Sequence, residues 1–111
     1  MPIETIGNFS VRKITVIDEK GNVDESLMPD ISNKDMDMLY RYMRLSRMFD
    51  EKCIKLQRQG RLGTYAPCTG QEASAIGSAF VLRKTDWIFP AYRENAALFY
   101  HGFPLSIVLQ E

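Results

Sequence analysis

The sequence has one histidine, His101, and two cysteines, Cys53 and Cys68, which do not form a Cys-x-x-Cys pair. That stock is too small for a His/Cys metal cluster. It offers no Ser-His-Asp grouping either, because His101 lies near no nucleophile-bearing turn. Two unlinked cysteines without a secretory signal point to a reducing compartment. No apolar run reaches the length needed to span a bilayer, so no membrane segment is expected. Gly60, Gly63 and Gly70 are not followed by Gly-Lys-Ser/Thr and do not fit the dinucleotide fingerprint. Net charge is absent as well, with 14 basic residues against 14 acidic ones. No nucleic-acid motif or aromatic-interleaved basic patch accompanies the basic residues, so nucleic acid is not an expected partner. The chain reads as soluble and cytoplasmic.

The balanced charge is unevenly distributed. Residues 1–33 carry three basic and six acidic side chains, and residues 34–61 carry eight basic and four acidic. The first 31 residues alternate loosely through Phe9, Val11, Ile14, Val16 and Ile17, followed by a turn at Asp18–Asn22. They are expected to form an N-terminal arm or hairpin, with too little apolar content for a core of its own. Residues 32–111 form the remaining domain.

Ser32 is a good N-cap, with Asp35 at N3, and nothing breaks a helix from there to about Arg58, where Gly60 supplies the stop. Such a helix is about 39 Å long. At 100° per residue it carries two apolar stripes. One holds Met36, Leu39, Tyr40, Met43 and Ile54; the other holds Met38, Tyr42, Leu45, Phe49, Cys53 and Leu56. Lys34, Arg41, Arg44 and Lys55 should face water. Arg47 and Asp50 sit three residues apart and are able to pair, which reads as a partly buried structural ion pair before a charge aimed at a ligand or partner. Thr69-Gly70-Gln71-Glu72 reads as a capping box opening a small-residue helix from Gln71 to Leu82, which accounts for Glu72 without chemistry. Asp86–Pro90 reads as a short buried strand. A short helix over Ala96–Tyr100 stops at His101-Gly102, and Pro104 opens another over Leu105–Leu109. The chain reaches Glu111 within that helical pattern, which suggests a domain continuing further.

Three places could carry chemistry. Cys68 lies just before a helix N-terminus, where a thiolate would be stabilised. The Gly-rich stretch Arg61–Ala73 could wall a site. Tyr92-Arg93, at the end of the strand-like run, pairs a phenol with a guanidinium that can grip an anion, although a surface arginine beside a packing tyrosine reads equally well.

Four motifs occur in order: Arg58-Gln59-Gly60-Arg61-Leu62-Gly63-Thr64-Tyr65-Ala66-Pro67, Gly70-Gln71-Glu72-Ala73, Ala91-Tyr92-Arg93-Glu94 and His101-Gly102-Phe103-Pro104-Leu105. Together they resemble the N-terminal part of the α subunit of thiamin-diphosphate-dependent 2-oxo acid dehydrogenase E1 components, of the pyruvate or branched-chain type. The resemblance covers roughly residues 9–111. It implies an α/β thiamin-diphosphate-binding fold in the full subunit, of which this segment would be the mainly α-helical, N-terminal part with short strands. It also implies an α2β2 heterotetramer with an E1 β subunit, and transfer of the acyl group to a lipoyl-bearing E2. Tyr92 and Arg93 match the pair that contacts the cofactor diphosphate, and Tyr65 would be a substrate-side contact. The family's Gly-Asp-Gly…Asn motif, which holds Mg2+, does not occur in these 111 residues, so the magnesium ligands are expected beyond residue 111. This segment alone is expected to be inactive. Asn95 stands where some members carry histidine, which leaves pyruvate and branched-chain substrates both open. The alternatives are a non-enzymatic helical module binding an E1 β-like partner and a redox protein using Cys68.

Overall fold

The structure is a computed structural model and describes residues 3–108. Two units separate at Ile31/Ser32. In the first, Ile17 and Val23 form an isolated antiparallel bridge. The turn between them is built on Asp18, whose carboxylate accepts from the backbone N–H of Lys20 and Asn22, both at 2.8 Å. Gly21 takes the left-handed conformation this turn requires, at φ +84°. A single 3₁₀ turn follows at Glu25–Leu27, capped by Asp24. Ile3, Ile6, Phe9 and Val11 are exposed. The expected hairpin is therefore reduced to one bridge within an extended arm.

The second unit is helical. Helix α1 spans Asn33–Arg58, α2 Glu72–Phe80, α3 Asn95–His101 and α4 Leu105–Val108. Ser32 caps α1 by accepting from the Asp35 N–H at 3.1 Å, and its hydroxyl donates to the Asp35 carboxylate at 2.6 Å. The helix ends in a Schellman turn. Gly60 N–H bonds Gln57 O at 2.9 Å, and Arg61 N–H bonds Leu56 O at 3.0 Å. Gly60 sits at φ +67° to make that reversal.

Helices α1, α2 and α3 pack on one another. Ile76, Ala79, Ala96, Ala97 and Phe99 from α2 and α3 are buried, and the alanines let those two backbones approach closely. Tyr42 and Phe49, two turns apart on α1, receive α3 edge-on. Tyr42 meets Tyr100 with centroids 5.0 Å apart, and Phe49 meets Phe99 at 4.9 Å. Such aromatic pairs contribute about 0.5–1.5 kcal/mol each beyond the area they bury. The buried face of α1 is Leu39, Ser46, Asp50 and Cys53, so half of it is polar. Met36 and Tyr40 of the first stripe stay exposed, as do Met38 and Leu45 of the second.

Three expectations are corrected. Among the described residues there is no β-strand. Asp86–Pro90 is extended but pairs with no neighbouring strand, so its alternation leaves Ile88 half-buried and turns Trp87 and Phe89 outward. Helix α2 ends at Phe80 rather than Leu82, its last turn tightening as Leu82 N–H bonds Ala79 O. Helix α3 runs slightly longer than expected at both ends and stops where Gly102 takes φ +104°. Leu109 lies outside the described residues. Within them, no helix is long and apolar enough to cross a membrane.

A Cβ on Gly60 would meet nothing within 4 Å, so its constraint is conformational alone. Gly60→Ala should destabilise the helical unit by about 1–2 kcal/mol, the cost of a left-handed non-glycine residue. Gly63→Ala, at an equally open position without positive φ, should be close to neutral. Chemical denaturation of both variants checks the contrast.

Candidate functional site

The loop between α1 and α2 is gathered onto one carboxylate. Asp50 has no exposed surface. Its Oδ1 accepts from the Tyr65 hydroxyl at 2.5 Å and from the Cys68 thiol at 3.6 Å, and its Oδ2 accepts from the Thr69 hydroxyl at 2.7 Å. Ser46, one turn earlier on α1, lies 3.1 Å from the Cys68 sulfur through its hydroxyl. A buried carboxylate requires such donors, since leaving it unpartnered costs far more than an ordinary lost hydrogen bond. Among the described residues no buried side-chain nitrogen or oxygen lacks a partner.

Beside this cluster Arg47 donates through Nε to Glu72 Oε1 at 2.5 Å, and the other Glu72 oxygen accepts from Gly70 N–H at 2.9 Å. Glu72 thus holds the start of α2, while Thr69 is drawn to Asp50 and does not cap it. Gln71 takes the N-cap position with no side-chain bond. The expected Arg47–Asp50 pair is not formed either. Asp50 turns to the loop and Arg47 to Glu72 at the start of α2, because the carboxylate faces the interior and the guanidinium lies nearer the surface.

The charges respond to this arrangement. Arg47 holds the Glu72 carboxyl below the usual glutamate range, and Glu72 in turn raises the Arg47 guanidinium. Burial, reinforced by the hydrogen bond to Asp50, pushes the Tyr65 phenol well above its ordinary value. Burial also pushes the Cys53 and Cys68 thiols up. Cys68 is therefore a protonated core thiol, opposite to the stabilised thiolate expected from its place before a helix.

The second segment reaches back to this loop. Arg93 donates through Nη1 to the Pro67 carbonyl at 2.7 Å. Tyr92 beside it is 83% exposed. Glu94 turns its carboxylate to the backbone N–H groups of Ala91, at 2.9 Å, and Arg93, at 3.1 Å. Arg93 and the Tyr65 loop are thus brought together, while the Tyr65 hydroxyl points to Asp50. His101 bonds Asp86 O at 3.0 Å, which ties the end of α3 to the extended segment leading to Tyr92. Sequence reasoning named Asp50 only beside Arg47 and missed its role as the acceptor that gathers this loop. The available signal was the run Ser46, Asp50 and Cys53, polar or small residues at helical spacing inside an apolar stripe, opposite a loop rich in hydroxyl and thiol groups.

Comparison with known proteins adds a family. Residues 40–111 match the family described as "Dehydrogenase E1 component". A Staphylococcus aureus (strain Mu50) protein named "Pyruvate dehydrogenase E1 component subunit alpha" is 44% identical over 94 residues, covering 84% of this chain and 25% of its own. The protein of that name from Bacillus subtilis (strain 168) is 46% identical over 91 residues, covering 81% and 24%. That from Staphylococcus epidermidis is 41% identical over 104 residues, covering 93% and 28%. The chain therefore spans about a quarter of the length of the curated relatives it matches.

Two outcomes follow from the electrostatics. Glu72 has a lowered folded-state value, so its contribution to stability should be complete above the ordinary glutamate value of about 4.3. It should be lost as pH falls through the lowered value. Comparing urea midpoints of the wild type and Glu72→Gln across that range checks this, because the variant should lack the acid-side loss. At neutral pH, Cys53 and Cys68 should react with a thiol reagent far more slowly in the native chain than in the unfolded one. Rapid labelling of native Cys68 would restore the redox reading.

Proposed function

Since the chain belongs to the dehydrogenase E1 component family, we propose that it forms the N-terminal part of an E1 α subunit. That subunit decarboxylates pyruvate with thiamin diphosphate and passes the acyl group to a lipoyl-bearing E2, in a cytoplasmic α2β2 assembly with an E1 β subunit. The names of its relatives favour pyruvate over a branched-chain 2-oxo acid. The observation that carries the reading is the bond from Arg93 to the Pro67 carbonyl, which joins the two motif-bearing segments in one place.

The donors present suit a diphosphate. Arg93 supplies a permanent cation with several N–H groups, and Tyr92 supplies an exposed phenolic O–H. The neighbouring backbone N–H groups of Ala91 and Arg93 are occupied by Glu94, so the grip falls to these two side chains. When bound, thiamin diphosphate supplies the carbanion-stabilising chemistry that decarboxylation of a 2-oxo acid requires. This chain's part is to hold and orient its anionic end. Among the described residues no group of three or more His, Cys, Asp or Glu side chains is disposed to hold a metal ion. Tyr65 shapes the wall on the substrate side with its ring, which packs edge-on against Phe49 at 6.1 Å, while its hydroxyl is held by Asp50.

A second reading rests on the exposed apolar side chains of α1. Met36, Tyr40 and Met48 are 44%, 61% and 60% exposed. They favour a helical module that binds an E1 β-like partner without catalysis.

In the assembled E1, Arg93→Ala should weaken thiamin diphosphate binding by about 1.5–3 kcal/mol, the range for a hydrogen bond to a charged group. Unchanged affinity by calorimetric titration would remove Arg93 from the cofactor site. The 111-residue chain alone should neither bind the cofactor tightly nor decarboxylate pyruvate. Strong magnesium-dependent binding by the isolated chain would contradict this. Binding of a β-like partner by a full assembly that lacks turnover would support the second reading.

A further inference from the structure

We propose that Asp50 is the positioning residue for Arg93. Its buried carboxylate fixes residues 65, 68 and 69 and so holds the Pro67 carbonyl where it can receive the guanidinium. The inference rests on the reading of Arg93 as a cofactor contact. The four contacts that carry it form a continuous path. Tyr65, Cys68 and Thr69 flank Pro67 in sequence, and all three donate to the one carboxylate. Pro67 accepts from Arg93 Nη1 at 2.7 Å.

The path ends on a buried group at one side and on an exposed one at the other. Asp50 is fully buried, two turns before the end of a 26-residue helix. Arg93 is a long, exposed side chain, which would sample many rotamers without a fixed acceptor. Pro67 contributes a fixed φ but no N–H of its own, so its carbonyl is aimed by its neighbours. Those neighbours lie in a loop flanked by glycines at 60, 63 and 70, which has little intrinsic stiffness. A carboxylate suits this task because it accepts on both oxygens at once and takes up donors from both sides of Pro67. An amide of the same shape would present an N–H group to one of them.

Asp50→Asn keeps the shape and alters the acceptors, and Thr69→Val removes a single donor at an exposed position. The first measurement uses the 111-residue chain and needs no cofactor. Arg93 Nε–Hε should give an ordered heteronuclear NOE in the wild type and a reduced one in both variants, while the Phe99 ring resonances stay unchanged. An Arg93 signal that stays as ordered in Asp50→Asn as in the wild type would overturn the proposal. Should Asp50→Asn fail to fold, Thr69→Val decides the same point.

The second measurement is the Kd for thiamin diphosphate in the assembled E1. Asp50→Asn should raise it severalfold, and should have no further effect when combined with Arg93→Ala. Losses that multiply in the double variant would show that Asp50 acts independently of Arg93, and the proposal falls. If Arg93→Ala leaves the Kd unchanged while the NMR result holds, the cofactor reading fails and the positioning role stands.

Discussion

The charge on Asp50 is the constraint to which the rest of the helical unit is fitted. Removing a carboxylate from water is unfavourable by several kcal/mol unless donors replace the lost hydration. Here every donor comes from the loop between α1 and α2. The arrangement is a poor way to gain stability, because an apolar side chain of similar volume would pack against α1 without that penalty. It is a good way to choose one loop conformation, since a loop that moves away leaves a buried charge without partners. The cost of misplacing residues 65–69 is therefore much larger than the contact area of those residues suggests.

Around this centre the packing is economical. Helix α1 offers Tyr42 and Phe49 to α3 and places Leu39 and Cys53 in the core. Small residues on α2 and α3 bring two short helices together that could not stand alone in water. Arg47 and Glu72 then fix the entry to α2 at the border of the same loop. The result is a helical bracket on which the segment that carries Tyr92 and Arg93 lies exposed.

Much of the bracket could be read from the residues, because its signals are local. Ser32 and Asp35 mark one end of α1, Gly60 marks the other, and no Pro or Gly intervenes. Gly102 stops α3 as its position suggests. The motifs around Tyr65 and Tyr92-Arg93 pointed to the family independently of any fold. Features that depend on distant partners were less legible. Arg47 and Asp50 are neighbours on a helix, but each finds a stronger partner more than a dozen residues away. Thr69 looks like a cap until Asp50 is seen beneath it. Asp86–Pro90 has the composition of a strand, yet a strand is defined by the chain beside it, and none among the described residues pairs with it. The Cys68 environment was misread for the same reason: helix proximity is written in the sequence, and burial against Ser46 and Asp50 is not.

Trp87 is the sole tryptophan of the chain. It is 83% exposed and lies 6.3 Å from Phe89 in a stacked pair. Its indole sits in water, five residues before Tyr92. The native chain should accordingly emit at long wavelength and be readily quenched by iodide or acrylamide. Whatever comes to cover that segment would move the emission to the blue and shield it from the quencher. The protein carries its own optical gauge of whether the edge bearing Tyr92 and Arg93 is bare or clothed.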